Sequence, residues 1–248
     1  HAMPHVPLAV SDRFKGKSQQ GLYGDVIMEI DWSVGEIVRT LARHGLERDT
    51  LVVFTTDNGP WLSYGNHAGS AGPLREGKGT SWEGGTRVPC IMSWPGRIPA
   101  GQRLREPMHM VDWYPTLIKQ GGGSLEQKLP IDGLDVWPML TAKAASPHDA
   151  ILCVSTQGPA RAAVRMGEWK LLVNGGAAEA DEAEAPKAKG KNAKAAAKVE
   201  PVALYHLTDD PGETKNLAAA QPERVKAMRA RLAELLKDAV PPGNAAAK

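Results

Sequence analysis

The 248 residues carry 30 basic and 28 acidic side chains, a formal net charge of +2, so no bulk attraction to nucleic acid or to a membrane surface is expected. Hydrophobic residues make up 42% and charged residues 23%, the balance of a globular protein with one large domain or two modest ones. No run of about 18 apolar residues occurs, which excludes a transmembrane helix. Two cysteines, Cys90 and Cys153, with neither in a Cys-x-x-Cys pair, exclude a disulfide framework and argue against zinc. They read as two buried thiols.

In chain order, residues 1–19 are polar and contain prolines, which fits a strand end and a loop. From Gly21 to Arg43, Tyr23, Val26, Ile27, Ile30, Val34, Ile37, Val38 and Leu41 recur at helical spacing. Gly45 is placed as the stop. Thr50–Thr56 is short, β-branched and continuously apolar, the pattern of a strand buried on both faces of a parallel sheet. Helix followed by buried strand predicts an α/β layered domain. A long Gly-rich loop from Asp57 to Arg87 leads to a second strand at Val88–Trp94. Met110–Lys119 and Val136–Ala142 read as helices. The pattern then changes: Ala150–Ser155, Ala162–Met166, Trp169–Val173 and Ala203–Leu207 are short strand-like runs of a small antiparallel sheet. Residues 175–199, dominated by Ala, Lys, Glu and Gly, lack the apolar residues of a core and predict a disordered surface insertion. Pro222–Leu236 is an amphipathic helix with Val225, Met228, Leu232 and Leu235 on one face.

Three points on this framework carry chemistry. Asp57-Asn58-Gly59 follows directly on the first strand, and in open α/β sheets ligands bind beyond the carboxyl ends of strands. A carboxylate beside a carboxamide offers two hard oxygen ligands suited to Ca²⁺ or Mg²⁺; an isolated Asp-Asn-Gly also reads as a plain Asx turn. Gly77-Lys78-Gly79 gives an ammonium close backbone approach to a sulfate or phosphate oxygen, or is a solvated loop lysine. Arg87 is placed to pair with Glu83. His5, between Pro4 and Pro7, has few backbone alternatives; a histidine held this way suits proton donation to a leaving group or caps a strand end. His67 either lines the pocket or sits on the surface. Trp61 and Trp82 can stack on a substrate ring or pack. His109 and Asp112 can cap the helix that follows them.

Taken together, Pro4-His5-Val6-Pro7-Leu8, Thr56-Asp57-Asn58-Gly59-Pro60 and Gly77-Lys78-Gly79-Thr80-Ser81-Trp82-Glu83-Gly84-Gly85-Thr86-Arg87-Val88-Pro89, in this order, resemble the type I, formylglycine-dependent sulfatases, and among them the arylsulfatase A-like group. The resemblance extends to Gly24-Asp25 and to Leu204-Tyr205-His206-Leu207, Asp210-Pro211-Gly212-Glu213 and Asn216-Leu217. It implies an alkaline phosphatase-like α/β sandwich, with residues 1–149 as the C-terminal part of the catalytic domain and 150–240 as a small antiparallel subdomain packed with a C-terminal helix. It implies hydrolysis of sulfate monoesters, with Asp57 and Asn58 as two ligands of one Ca²⁺, Lys78 on the substrate sulfate, and His5 on the sulfate and the departing alcohol. The family nucleophile is a formylglycine hydrate made within a Cys/Ser-x-Pro-x-Arg motif, and two further calcium-binding aspartates lie upstream of it; none of these is in this sequence. The chain starts at His1, inside what reads as a working motif and with no signal peptide, so a preceding segment is expected to be missing. The implied substrate is a sulfated small molecule or carbohydrate, and the implied location is the periplasm or outside the cell.

Two other readings compete. A phosphodiesterase or phosphonate hydrolase of the alkaline phosphatase superfamily would use two transition metals and a Thr or Ser nucleophile; the single Asp-Asn pair followed by Gly-Lys-Gly favours one hard cation and sulfate. A chain with half a metal site and no nucleophile can also be non-catalytic by itself.

Overall fold

The computed structural model describes residues 5–155, 161–173 and 202–237. The expected insertion at 175–199 lies outside these residues. The chain opens into a long helix, α1 (Gly21–Arg43), and ends it at His44, where Gly45 takes φ +66°, the left-handed conformation that favours glycine after a helix. α1 anchors the segments on either side of it. The carboxylate of Asp25 accepts the amides of Gly16 (2.8 Å) and Ser18 (2.7 Å), and Glu29 accepts that of Ser11 (3.0 Å). These bonds tie the stretch that follows His5 to the helix. Gly24 lies so close to Ser18 that a Cβ would strike its hydroxyl, and Gly69 meets the ring of Tyr23 in the same way. Gly24 and Asp25, side by side in the helix, let the Gly16–Ser18 segment press onto it, and Gly69 lets a second loop press onto Tyr23.

β1 (Val52–Thr55) pairs with β2 (Cys90–Ser93) in antiparallel register, Val52 opposite Ser93 and Thr55 opposite Cys90. The expected parallel arrangement, with the first strand buried on both faces, is not what the described residues form. β1 is half-buried along its length and has one hydrogen-bonded neighbour among them. The apolar stripe of α1 is likewise only partly covered: Val26 is buried, while Ile37 is 56% exposed. Cys90 is exposed and Cys153 half-buried, both as free thiols, so the reading of two buried cysteines is corrected.

Helix α2 is the single turn Glu83–Thr86. Before α3 (Trp113–Gln120), a 3₁₀ turn at Met110–Asp112 is closed by a reciprocal cap: the His109 amide donates to Asp112 Oδ2 (2.6 Å) and the His109 ring accepts from the amide of Val111. Asp112 also takes the Leu134 amide (2.9 Å) and His148 Nε2 (2.8 Å). These two residues therefore cap and anchor α3, and the short helix α4 (Trp137–Ala142) follows.

The second half is a four-stranded antiparallel sheet of β3 (Ile151–Ser155), β4 (Arg161–Met166), β5 (Trp169–Val173) and β6 (Val202–His206), in sequence order. Gly167, at φ +57°, makes the turn between β4 and β5. Side chains alternate across a strand, so this sheet has two apolar faces. One carries Val164, Leu171 and Leu204 against Met228 and Leu232 of α5 (Pro222–Leu235). The other carries Ala163, Leu172, Ala203 and Tyr205 against Trp82 of the Gly-rich loop. The second face links this sheet to the candidate site. Among the described residues no helix is long and apolar enough to cross a membrane. Truncating fully buried Leu171 to Ala is expected to cost about 2–5 kcal/mol, read from urea unfolding of the full-length protein; a loss within error of zero would contradict the α5-to-sheet core.

Candidate active site

The loop from Asp57 to Arg87 is folded upon itself around α2. The amide of Gly59 donates to the carbonyl of Gly85 (3.0 Å), that of Lys78 to Pro60 (2.9 Å), and that of Gly84 to Arg75 (2.8 Å). These contacts need glycine. A Cβ on Gly59 would sit on the Gly84 carbonyl, one on Gly77 on that of Pro60, and one on Gly84 on those of Arg75 and Glu76. The Gly-rich composition is therefore a packing requirement: the Asp-Asn-Gly turn and the Gly-Lys-Gly turn are brought together because backbone meets backbone with no side chain between.

The expected metal pair and the expected anion ligands flank this packed core. Asp57 is exposed; Asn58 is half-buried, and its Oδ1 is buried without a hydrogen-bond partner among the described residues. A buried carbonyl oxygen left unpaired is costly and suits a hard cation, and the adjacent carboxylate supplies the charge. The residues present thus fit a calcium ion as two of its ligands; no group of three or more His, Cys, Asp or Glu that could hold a metal occurs among the described residues.

Lys78 is exposed, with its Nζ 4.5 Å from the centroid of the Trp61 ring. His5 meets the same ring edge-on at 5.8 Å, and Tyr64 packs on it at 4.6 Å. Trp61 therefore gathers the expected sulfate-binding lysine and the expected proton donor at one point, with a cation held over its π face. His5 Nδ1 lies 2.9 Å from the carbonyl of Val6, a contact in which Nδ1 donates. His67 ends the 3₁₀ turn Leu62–His67, half-buried; no ring contact or hydrogen bond among the described residues joins it to this group. Trp82 is settled as packing: it is 4% exposed, against Tyr205 at 5.6 Å, with the Arg75 guanidinium stacked 3.7 Å from its ring centroid. A cleft of about 1890 Å³ beside β2 reaches this region at Asp57, Thr86 and Arg87 but is not lined by His5 or Lys78.

Beneath α2 lies a group of charges that single-residue motifs did not reveal. Lys170 of β5 is fully buried, with its ammonium 2.9 Å from Glu83 Oε1 and 3.1 Å from Glu213 Oε1. Both carboxylates are buried. Glu213 Oε2 accepts the Glu83 amide at 2.7 Å, and the Glu213 carbonyl accepts from Arg75 at 2.9 Å. Arg87 reaches Glu83 Oε2 at 3.6 Å with half its side chain in solvent. The expected Arg87–Glu83 pair is present, but the closer partner of Glu83 is Lys170. Glu213 takes φ +50° in a turn tied by Asp210, which accepts the amides of Thr214 and Lys215 at 2.8 Å each. The only sequence signal for Lys170 was a lysine at a position facing inward in a strand otherwise apolar.

Two family models match this chain: the model described as Sulfatase over residues 1–123, and the C-terminal region of aryl-sulfatase over residues 146–245. The chain belongs to the sulfatase family. Human arylsulfatase A is 36% identical over 233 residues, which is 91% of this chain and 45% of that protein. Human steryl-sulfatase is 45% identical over 145 residues, 56% of this chain and 25% of the relative. Among solved structures, Ps i-CgsB in complex with k-i-k-neocarrahexaose superposes with a TM-score of 0.79 at 27% identity, covering 97% of this chain and 49% of that one. The sulfatase chain thus spans a quarter to a half of the length of these relatives. The likeness bears out the α/β, alkaline phosphatase-like architecture and the arylsulfatase A-like resemblance.

Burial outweighs the nearby Lys170 ammonium and holds Glu213 above the ordinary glutamate value of 4.5. A raised folded-state pKa contributes stability that is fully present below the ordinary value and is lost as the pH rises through the folded one. Glu213→Gln, neutral throughout, removes this slope. Urea midpoints of the full-length protein between about pH 4 and about pH 8 are expected to decline with rising pH less steeply in the variant than in the wild type; identical slopes would contradict the assignment.

Proposed function

We propose that the full-length sulfatase hydrolyses sulfate monoesters of small molecules or carbohydrates at the site formed by His5, Asp57, Asn58 and Lys78. The observation that supports this most is the packing of the Asp57–Gly59 and Gly77–Gly79 turns on one another around Gly85 and Pro60, with His5 and Lys78 against the same Trp61 ring, in a chain of this family. The Asn58 Oδ1 without a partner and the adjacent Asp57 carboxylate are the atoms that would hold Ca²⁺. When bound, that ion supplies electrostatic stabilisation of the sulfate oxygens.

Lys78 adds a compact positive charge, free at its exposed end to meet a sulfate oxygen where charge builds in the transition state. His5, with Nδ1 bonded to the Val6 carbonyl, presents Nε2 to protonate the departing oxygen. The Trp61 ring keeps Lys78 and His5 together and offers an apolar wall. His67 stands at the margin as a substrate-lining residue in this reading. In this reading the formylglycine nucleophile and the remaining calcium ligands are supplied by residues other than the four named. Residues 1–149 belong to the catalytic α/β domain and 150–240 to a C-terminal subdomain; a periplasmic or secreted enzyme fits the family.

The test is turnover of aryl and carbohydrate sulfates by the full-length protein with calcium. Lys78→Ala is expected to lower kcat about 10²–10³-fold, the loss typical of removing one charge-stabilising donor. His5→Ala is expected to slow esters of aliphatic alcohols more than esters of acidic phenols, because good leaving groups need little protonation. Chelation of calcium is expected to abolish turnover. Hydrolysis of phosphodiesters with zinc or manganese, and none of sulfate esters with calcium, would overturn the reading in favour of a phosphodiesterase.

A further inference from the structure

We infer that Lys170 and Glu213, on and beside the four-stranded sheet, are positioning residues that set the geometry of Asp57, Asn58 and Lys78 through α2. This rests on the calcium and sulfate site proposed above. The route is continuous and short. Lys170 and Glu213 grip Glu83 by its carboxylate and by its amide. Glu83 opens α2, whose next two residues are the glycines on which both functional turns are packed. Gly85 accepts the amide of Gly59, directly after Asn58, and a Cβ on Gly85 would press on the carbonyls of Gly77 and Thr80, which flank Lys78. Arg75 closes the loop from the other end, donating to the Glu213 carbonyl while accepting the Gly84 amide at its own.

Burial makes this contact selective for one arrangement. With Lys170, Glu83 and Glu213 all buried, none can turn to water when the geometry drifts, so any displacement of α2 leaves a charge unpaired in a poorly solvated place. An apolar contact would tolerate sliding; a lysine bridging two carboxylates 87 and 43 residues away in sequence (170 − 83 and 213 − 170) does not. Outer partners of this kind orient metal ligands without touching the ion.

The experiment uses full-length protein and two probes, Ca²⁺ and inorganic sulfate, with dissociation constants from calorimetry and folding from thermal melts. Lys170→Met is compared with Leu232→Ala, which destabilises the opposite face of the same sheet. The expected result is a rise of about ten-fold in the constants for both probes in Lys170→Met, the scale seen when outer partners of metal ligands are lost, with no rise in Leu232→Ala despite a lower Tm. Should Lys170→Met not fold, the double variant Lys170→Met with Glu213→Gln removes one charge of each sign and leaves Glu83 to Arg87; the same rise is expected from it. Wild-type affinities in the foldable variant, or equal rises in Leu232→Ala, would overturn the inference while leaving the proposed site intact. A wild type that binds neither calcium nor sulfate would overturn the site itself.

Discussion

The contact on which this structure turns is the bridge of one buried ammonium between two buried carboxylates, Lys170 with Glu83 and Glu213. It joins the loop from Asp57 to Arg87 in the first half of the chain to the four-stranded sheet of the second. Around it, Trp82 packs on Tyr205 and Arg75 stacks on Trp82, so apolar burial supplies the bulk of the association and the charges fix its register. Such an arrangement is a poor source of net stability, because the desolvation of three charges offsets most of their attraction. Its value lies in specifying a single position for α2, and everything the loop presents depends on that position.

From α2 outward, the logic is one of missing side chains. Gly59, Gly77, Gly84 and Gly85 let four backbone segments touch, and the hydrogen bonds between them leave the loop little freedom despite its length. A loop of this composition without the anchor below it would be floppy. Anchored, it presents Asp57, Asn58 and Lys78 from a rigid base, while α1, through Asp25 and Glu29, holds the approach to His5.

Much of this was legible in the sequence where the signal was local. The period of α1, the four strands of the second sheet and the apolar face of α5 follow from spacing alone, and the structure places each within a residue or two of expectation. The family resemblance rested on ordered motifs, and the comparisons bear it out. What failed was what depends on partners. The pairing of β1 is antiparallel because β2 returns beside it, and no property of Thr50–Thr56 itself encodes the direction of a neighbour. Trp61 and Trp82 looked alike as flanking aromatics, yet one sits with His5 and Lys78 and the other is buried under the sheet. Glu213 stood in a quoted motif and Lys170 in none, yet their pairing went unread for the same reason: a charge is recognisable as a clamp only once its counter-charges, distant in sequence, are seen beside it.

The proposed cation-and-sulfate site of Asp57, Asn58, Lys78 and His5 is built on this anchored loop. The most direct measurement is a crystal structure of the full-length protein grown with calcium and soaked with sulfate, with the cation identified by its anomalous signal. The expected result is one calcium ion coordinated by oxygens of Asp57 and Asn58, with a sulfate oxygen in hydrogen-bond reach of Lys78 and of His5 Nε2. Two transition-metal ions at this site, or calcium and sulfate bound away from these four residues, would contradict it.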